Sequence, residues 1–267
     1  MEKRAITQLS TLGHEHRMAV FRLLMRRYPD GVPAGEVGRA LDLKPSTTSV
    51  YLSALMDAGL ITQRREGTSL MYRVDMTAAD RLMRHMFFDC CRGRPDLCLP
   101  DESGQKNRTI NVLFVCTGNS ARSIMAETLL RDIAGDRFVA HSAGSNPYSA
   151  LNPFTIDLLK SKGHDIAPLR SKHIAEFQPP DAPSMDFVFT VCDHAANEEC
   201  PTWAGQPISA HWGLPDPVAA TGTDAERALA FQETYAALKS RLTAFAALPF
   251  DSLDRIGLQR AVDDLAT

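Results

Sequence analysis

One thirteen-residue stretch, Asn111 to Ser123 (NVLFVCTGNSARS), restricts this chain more than any other. Asn111–Val115 is an apolar run of the length of a buried strand. Cys116 closes it and Arg122 stands six positions later. An amphipathic helix then begins, with Ile124, Leu129, Leu130 and Ile133 on one face. Thr117, Gly118, Asn119, Ser120 and Ala121 lie between, and Ser123 follows the arginine. Small residues let backbone N–H groups turn inward as a nest for a tetrahedral oxyanion, and the helix start aims its positive end at the same point. Arg122 can grip two oxyanion oxygens with its planar fork. The same positive field is expected to lower the Cys116 thiol pKa and make it a nucleophile near neutral pH.

The rest of the C-terminal half alternates strands and helices. After the loop helix come a strand at Phe138–Ala143, a helix from Pro153 to Lys162, a strand at Asp186–Val191, a strand near Pro207–Ala210 and a long helix from Asp224 to Ala247. This rhythm predicts an α/β doubly wound parallel sheet, with the Cys116 loop at a strand's carboxyl end. Two further signals carry chemistry. Asp216 sits between prolines in Leu214-Pro215-Asp216-Pro217, where few donors are expected, so a protonated Asp216 could serve as general acid. Cys192 and Cys200 bracket a polar loop, and paired thiols move electrons by exchange through mixed disulfides.

The CTGNSARS loop after its strand resembles the low-molecular-weight phosphotyrosine phosphatase fold, specifically its arsenate-reductase branch, over about Thr109 to Ala246. The resemblance implies Cys116 as nucleophile, Arg122 as oxyanion grip, Asp216 as general acid, and a Cys116/Cys192/Cys200 relay emptied by a thioredoxin-like reductant, with arsenate as substrate. The branch often has a further cysteine before the arginine, where this chain has Ala121. Asn119, Glu127 and Ser142 match positions that organise the loop in that branch, which implies a potassium ion nearby; no tightly bound cofactor is expected.

The N-terminal half follows a different pattern. Ile6–Tyr28 is helical in period and ends at Pro29-Asp30-Gly31. Ala34–Leu41 reads as a short helix, Leu43-Lys44 as a turn, Pro45-Ser46 opens a second helix that continues over Thr47–Ala58, and Leu60–Arg65 and Ser69–Val74 read as a hairpin. This is a winged helix-turn-helix order, mostly α with a β-hairpin wing. It places Ser46, Thr47, Thr48, Ser49 and Tyr51 at the leading end of a helix suited to the major groove, and Arg64 and Arg65 at the wing for phosphates. Residues 1–100 carry 15 Lys+Arg against 11 Asp+Glu, and the remainder 14 against 21, so the basic excess lies where DNA contact is expected. A helix over Ala78–Phe88 runs into Cys90 and Cys91, with Cys98 seven residues on. Three thiolates suit a soft three-coordinate ion; zinc is the alternative, with His85 as the nearest fourth ligand. The stretch LDLKPSTTSVYLSALMDAGLITQRREGTSLMYRV resembles ArsR-type winged-helix repressors, over about residues 5–98. That resemblance implies a homodimer, operator DNA as partner, and As(III) as inducer ligand at Cys90, Cys91 and Cys98.

The organisation expected is therefore a DNA-binding and sensing domain at 1–98, a polar linker at 99–108, a reductase domain at 109–247 and an amphipathic extension helix at 248–267. The function expected is a fused arsenite-responsive transcriptional repressor and arsenate reductase. A low-molecular-weight phosphatase joined to a DNA-binding regulator is the first alternative, and a non-enzymatic oxyanion-sensing regulator the second. No run approaches the ~18–20 apolar residues of a membrane span. The opening residues, MEKRAITQLS, lack the apolar core of a signal peptide, so with six cysteines a reducing cytoplasm is expected.

Overall fold

The computed structural model describes residues 2–90, 109–178, 182–198, 203 and 207–266. The chain divides into two compact units, Met1–Lys106 and Asn107–Thr267.

In the first unit, α1 (Glu2–Leu12) and α2 (Glu15–Arg26) replace the single helix expected over Ile6–Tyr28. The break falls at Gly13 and at His14, which is extended at φ −123°. A two-residue strand β1 (Val32–Pro33) leads into α3 (Ala34–Ala40) and α4 (Pro45–Asp57). Pro45 starts α4 with its φ already helical, and Gly59 at φ +66° ends it in the left-handed conformation glycine adopts freely. Strands β2 (Ile61–Glu66) and β3 (Ser69–Val74) pair antiparallel through a turn whose Gly67 has φ +60°. β1 joins the hairpin by pairing with β3, a pairing too short to leave a periodic signal. Val20, Leu23, Leu24, Val37, Leu52, Leu55 and Leu60 form the core. Asp75 caps α5 (Met76–Arg84) by accepting from the Ala78 amide at 2.9 Å. The chain then continues as a π-helical turn, His85–Cys90, rather than as a uniform α-helix.

The second unit is a four-stranded parallel sheet of order β5-β4-β6-β7 with helices packed on it, as the alternation predicted. The strands are β4 (Ile110–Cys116), β5 (Phe138–Gly144), β6 (Phe187–Thr190) and β7 (Ile208–His211). Val112 to Val115 of the central β4 are fully enclosed, which explains their unbroken apolar run. Phe187, Phe189, Trp212 and Phe245 stack and edge against one another at centroid separations of 4.0–6.0 Å.

The last helix, Arg255–Asp264, is not an extension beyond this unit. It packs on β7, its Val262 is fully buried in the core, and the Val262 carbonyl accepts from the Trp212 indole at 3.0 Å. Among the described residues no helix is long and apolar enough to cross a membrane.

Candidate active site and DNA-facing surface

Sheet register assembles the site. Val115 of β4 lies opposite Thr190 of β6, and the Val191 amide donates to the Val115 carbonyl at 2.9 Å. One residue beyond each, Cys116 and Cys192 leave the same end of the sheet, and both are buried. The chain leaving β7 brings Leu214 and Asp216 to that end as well. Arg122 donates to the Leu214 carbonyl at 2.9 Å and pairs with Asp216 at 3.2 Å.

The loop between Cys116 and Arg122 is held from several sides. Asn119 sits at φ +42°, in the left-handed region that a short polar side chain tolerates. Its amide nitrogen donates to Ser123 Oγ and to Ser142 Oγ, each at 2.9 Å, and its oxygen accepts from the Lys172 backbone at 2.7 Å. Its own backbone N–H points at Cys116 Sγ, 3.2 Å away. The Ser120 carbonyl is tied to Asn152 N and Thr155 Oγ1. Two glycines are closely approached, Gly118 by a side chain and Gly144 by backbone, and only the second is sterically obligatory. A Cβ on Gly118 would lie 2.5 Å from the Tyr148 ring, and one on Gly144 would lie 2.4 Å from the Thr117 carbonyl. Tyr148 is exposed beside the loop, a position that sequence reasoning did not single out. Ala121 is the N-cap and Arg122 the first residue of the helix Arg122–Ala134, whose first turn points into the loop.

Two expectations about this site need correction. In the free protein, burial pushes the Cys116 thiol up, and the adjacent Cys192 adds to this. The Ser123 hydroxyl and the amides of Asn119 and Ser123 oppose the rise but do not cancel it. Desolvation, which a linear sequence does not display, therefore works against the thiolate that the loop's field favours. Asp216, in turn, does not occupy a donor-poor recess. It is 44% exposed at the side chain, accepts from the Val218 amide at 3.1 Å and pairs with Arg122.

Cys192 caps the short helix Asp193–Asn197, its Sγ accepting from Ala195 N at 3.4 Å, and it lies 3.5 Å from Thr117 Oγ1 in the oxyanion loop. Cys200 lies outside the described residues, as do Cys91 and Cys98. Cys90 is exposed at the end of the π-helical turn. It borders a groove shared with Glu2, Ile6, Leu9, His85 and Met86.

On α4, Ser46 and Ser49 are exposed, and Thr47 and Tyr51 are half-buried. Thr48 does not face outward as expected. It is buried against Gly38, and its hydroxyl donates to the Lys44 carbonyl at 3.1 Å. It secures the α3–α4 turn rather than presenting a group to DNA. The Tyr51 ring packs on His14 and His16, with centroids 5.2 and 5.8 Å away. Val50, on the same helix, is 62% exposed. Arg64 and Arg65 are exposed on the wing strand β2.

Residues 111–256 match the family model for low molecular weight phosphotyrosine protein phosphatase, and residues 12–64 match that of a helix-turn-helix domain. The chain belongs to the low molecular weight phosphotyrosine protein phosphatase family, with a helix-turn-helix domain joined ahead of the catalytic fold. More particularly, its C-terminal half is similar to proteins named arsenate reductase. Those of Halalkalibacterium halodurans and Bacillus subtilis are each 36% identical to it over 135 residues, which is 51% of this chain and 94% of each relative. A solved arsenate reductase from Archaeoglobus fulgidus is 27% identical over 49% of this chain and 95% of its own, with a TM-score of 0.40.

Proposed function

We propose that the C-terminal unit is an arsenate reductase and that the N-terminal unit is a DNA-binding repressor released by the reductase's product. The observation that carries the reductase reading is the second thiol. Cys192 is buried at the same sheet end as Cys116 and within contact of the oxyanion loop, where ester hydrolysis has no need of it.

In the proposed sequence, arsenate displaces Asp216 from the Arg122 fork and sits among the loop amides. Cys116 attacks arsenic, and its thiol proton passes through Asp216 to the departing hydroxyl, which leaves as water. Cys192, as thiolate, then attacks Cys116 Sγ. The S–As bond breaks and its electron pair reduces As(V) to As(III), releasing arsenite and leaving a Cys116–Cys192 disulfide. Cys200 attacks Cys192, freeing Cys116 as a thiol. The Cys192–Cys200 disulfide is then reduced by a thioredoxin-like dithiol, which is itself oxidised.

The N-terminal unit acts as a homodimer in this reading. The faces of α1 and of the α5 segment leave Ile6, Leu9 and Met83 exposed at 59%, 41% and 64%, an apolar surface suited to a second copy. Ser46, Thr47, Ser49 and Tyr51 then meet the major groove, with Arg64 and Arg65 on the backbone. Arsenite bound by Cys90, Cys91 and Cys98 weakens operator affinity, and a coupling of about 1–3 kcal/mol would be typical.

Two measurements test this reading. A Cys200→Ser protein should complete one turnover and stop; repeated turnover with thioredoxin would refute the relay. Operator DNA titrated with the protein should be released on adding arsenite, and less so from Cys90→Ser; release indifferent to arsenite would refute the sensor.

A further inference from the structure

The oxyanion loop rests on a carboxylate. Glu127, one turn into the helix after Arg122, points under the loop with its side chain only 13% exposed. A carboxylate so enclosed is costly without a cation beside it. The cation present is Lys172. Its ammonium lies 2.9 and 3.2 Å from the two Glu127 oxygens and 3.3 Å from the Arg170 carbonyl, and its side chain is 8% exposed.

From that ammonium a continuous chain of contacts reaches the nucleophile. Ser142 Oγ donates to Glu127 Oε2 at 2.5 Å, Asn119 Nδ2 donates to Ser142 Oγ, the same nitrogen donates to Ser123 Oγ, and Ser123 Oγ lies 2.9 Å from Cys116 Sγ. Lys172 also enters through its backbone. Its N–H donates to Asn119 Oδ1 and its carbonyl accepts from Gly144, so one residue fixes both the charge and the left-handed Asn119.

Asn119, Glu127 and Ser142 are the residues that the family resemblance connects with a potassium ion. Here they do not fit one. A cation there would sit against the Glu127 carboxylate, and that place is taken: the Lys172 ammonium contacts both Glu127 oxygens and the Arg170 carbonyl, while the Lys172 amide donates to Asn119 Oδ1.

We propose that Lys172 is a tethered cation that takes the place of a monovalent metal ion under the oxyanion loop, and that this protein's catalytic unit works independently of potassium. Lys172 is then a positioning residue, acting on Cys116 through Glu127, Ser142, Asn119 and Ser123. The activity arm of the test rests on the reductase reading; the melting arm does not.

The test compares potassium chloride with tetramethylammonium chloride at equal ionic strength. Melting is followed by tryptophan fluorescence, and kcat/KM for arsenate is measured in parallel. For the wild type, both quantities should be the same in the two salts. For Lys172→Ala, the melting temperature should fall in tetramethylammonium and be partly restored by potassium. Its kcat/KM should fall about 10- to 100-fold, the range expected when a displaced support misplaces reacting atoms, and recover likewise with potassium. Stabilisation of the wild type by potassium would overturn the proposal, and that arm needs no variant. A Lys172→Ala protein that equals wild type in tetramethylammonium, or that is impaired without any response to potassium, would also overturn it. If arsenate is not turned over at all, the reductase reading fails and the melting comparison still decides the role of Lys172.

Discussion

Asn119 offers the sharpest test of how the loop is held. Replacing it with alanine removes three side-chain hydrogen bonds, to Ser123, Ser142 and the Lys172 N–H. At about 1 kcal/mol each they amount to about 3 kcal/mol. The position has φ +42°. Holding a residue with a Cβ there costs about 1–2 kcal/mol, part of which asparagine's local hydrogen bonding offsets. Asn119→Ala should therefore destabilise the C-terminal unit by about 4 kcal/mol. Asn119→Gly loses the same bonds but tolerates the backbone angle, so it should be about 1 kcal/mol more stable than the alanine variant. The chain's two tryptophans, Trp203 and Trp212, both lie in the C-terminal unit, so their fluorescence in a urea titration follows that unit. A loss below about 1 kcal/mol for Asn119→Ala, within the range of an ordinary surface substitution, would refute the argument. So would a glycine variant no more stable than the alanine one.

Three further outcomes follow from the same geometry. Burial holds the Cys116 thiol pKa above its usual value, so alkylation of Cys116 by iodoacetamide should be slow at neutral pH and accelerate as pH rises; Ser123→Ala, which removes a stabilising contact to the thiolate, should slow it further at any fixed pH, as peptide mass spectrometry can measure. Arg64→Ala and Arg65→Ala should each weaken operator binding across sequences and lower the slope of log K against log salt by about 1, measured by fluorescence anisotropy; an unchanged slope would remove these residues from the phosphate contacts. The Asp263 carboxyl is pushed up to about 6, chiefly by burial. A carboxyl raised on folding favours the folded state below its unfolded pKa and loses that contribution as pH rises through about 6. Asp263→Asn should therefore stabilise the C-terminal unit at pH 7–8 and have little effect below pH 4 in thermal melts.

What was legible in the sequence was local. The strand, loop and helix from Asn111 to Ser123 are contiguous, so the nucleophile, the nest and the arginine could be read together. The alternation that followed indicated the parallel sheet. Asp216 and Cys192 were visible because each follows a strand, and parallel register brings strand ends to one edge. What was hidden depends on which way a side chain faces. Val50 and Thr48 are two positions apart on α4, yet the apolar residue is exposed and the hydroxyl is buried. Lys172 lies 45 residues beyond Glu127, and no periodicity connects them. Burial pushes the Cys116 thiol pKa up, whereas charge and dipole arguments alone indicated the opposite direction. The final helix read as an appendage because its few apolar residues do not announce their partner, the Trp212 side of β7.

The central claim is that Cys116 and Cys192 act as one redox unit on arsenate. The most direct test is arsenate-dependent NADPH oxidation, coupled through thioredoxin and its reductase, for wild type and Cys192→Ser, with p-nitrophenyl phosphate hydrolysis measured on both. Arsenate turnover by the wild type, abolished in Cys192→Ser while ester hydrolysis persists, is the predicted result. Ester hydrolysis by both proteins without arsenate turnover by either would contradict the account and leave a phosphatase joined to a DNA-binding domain.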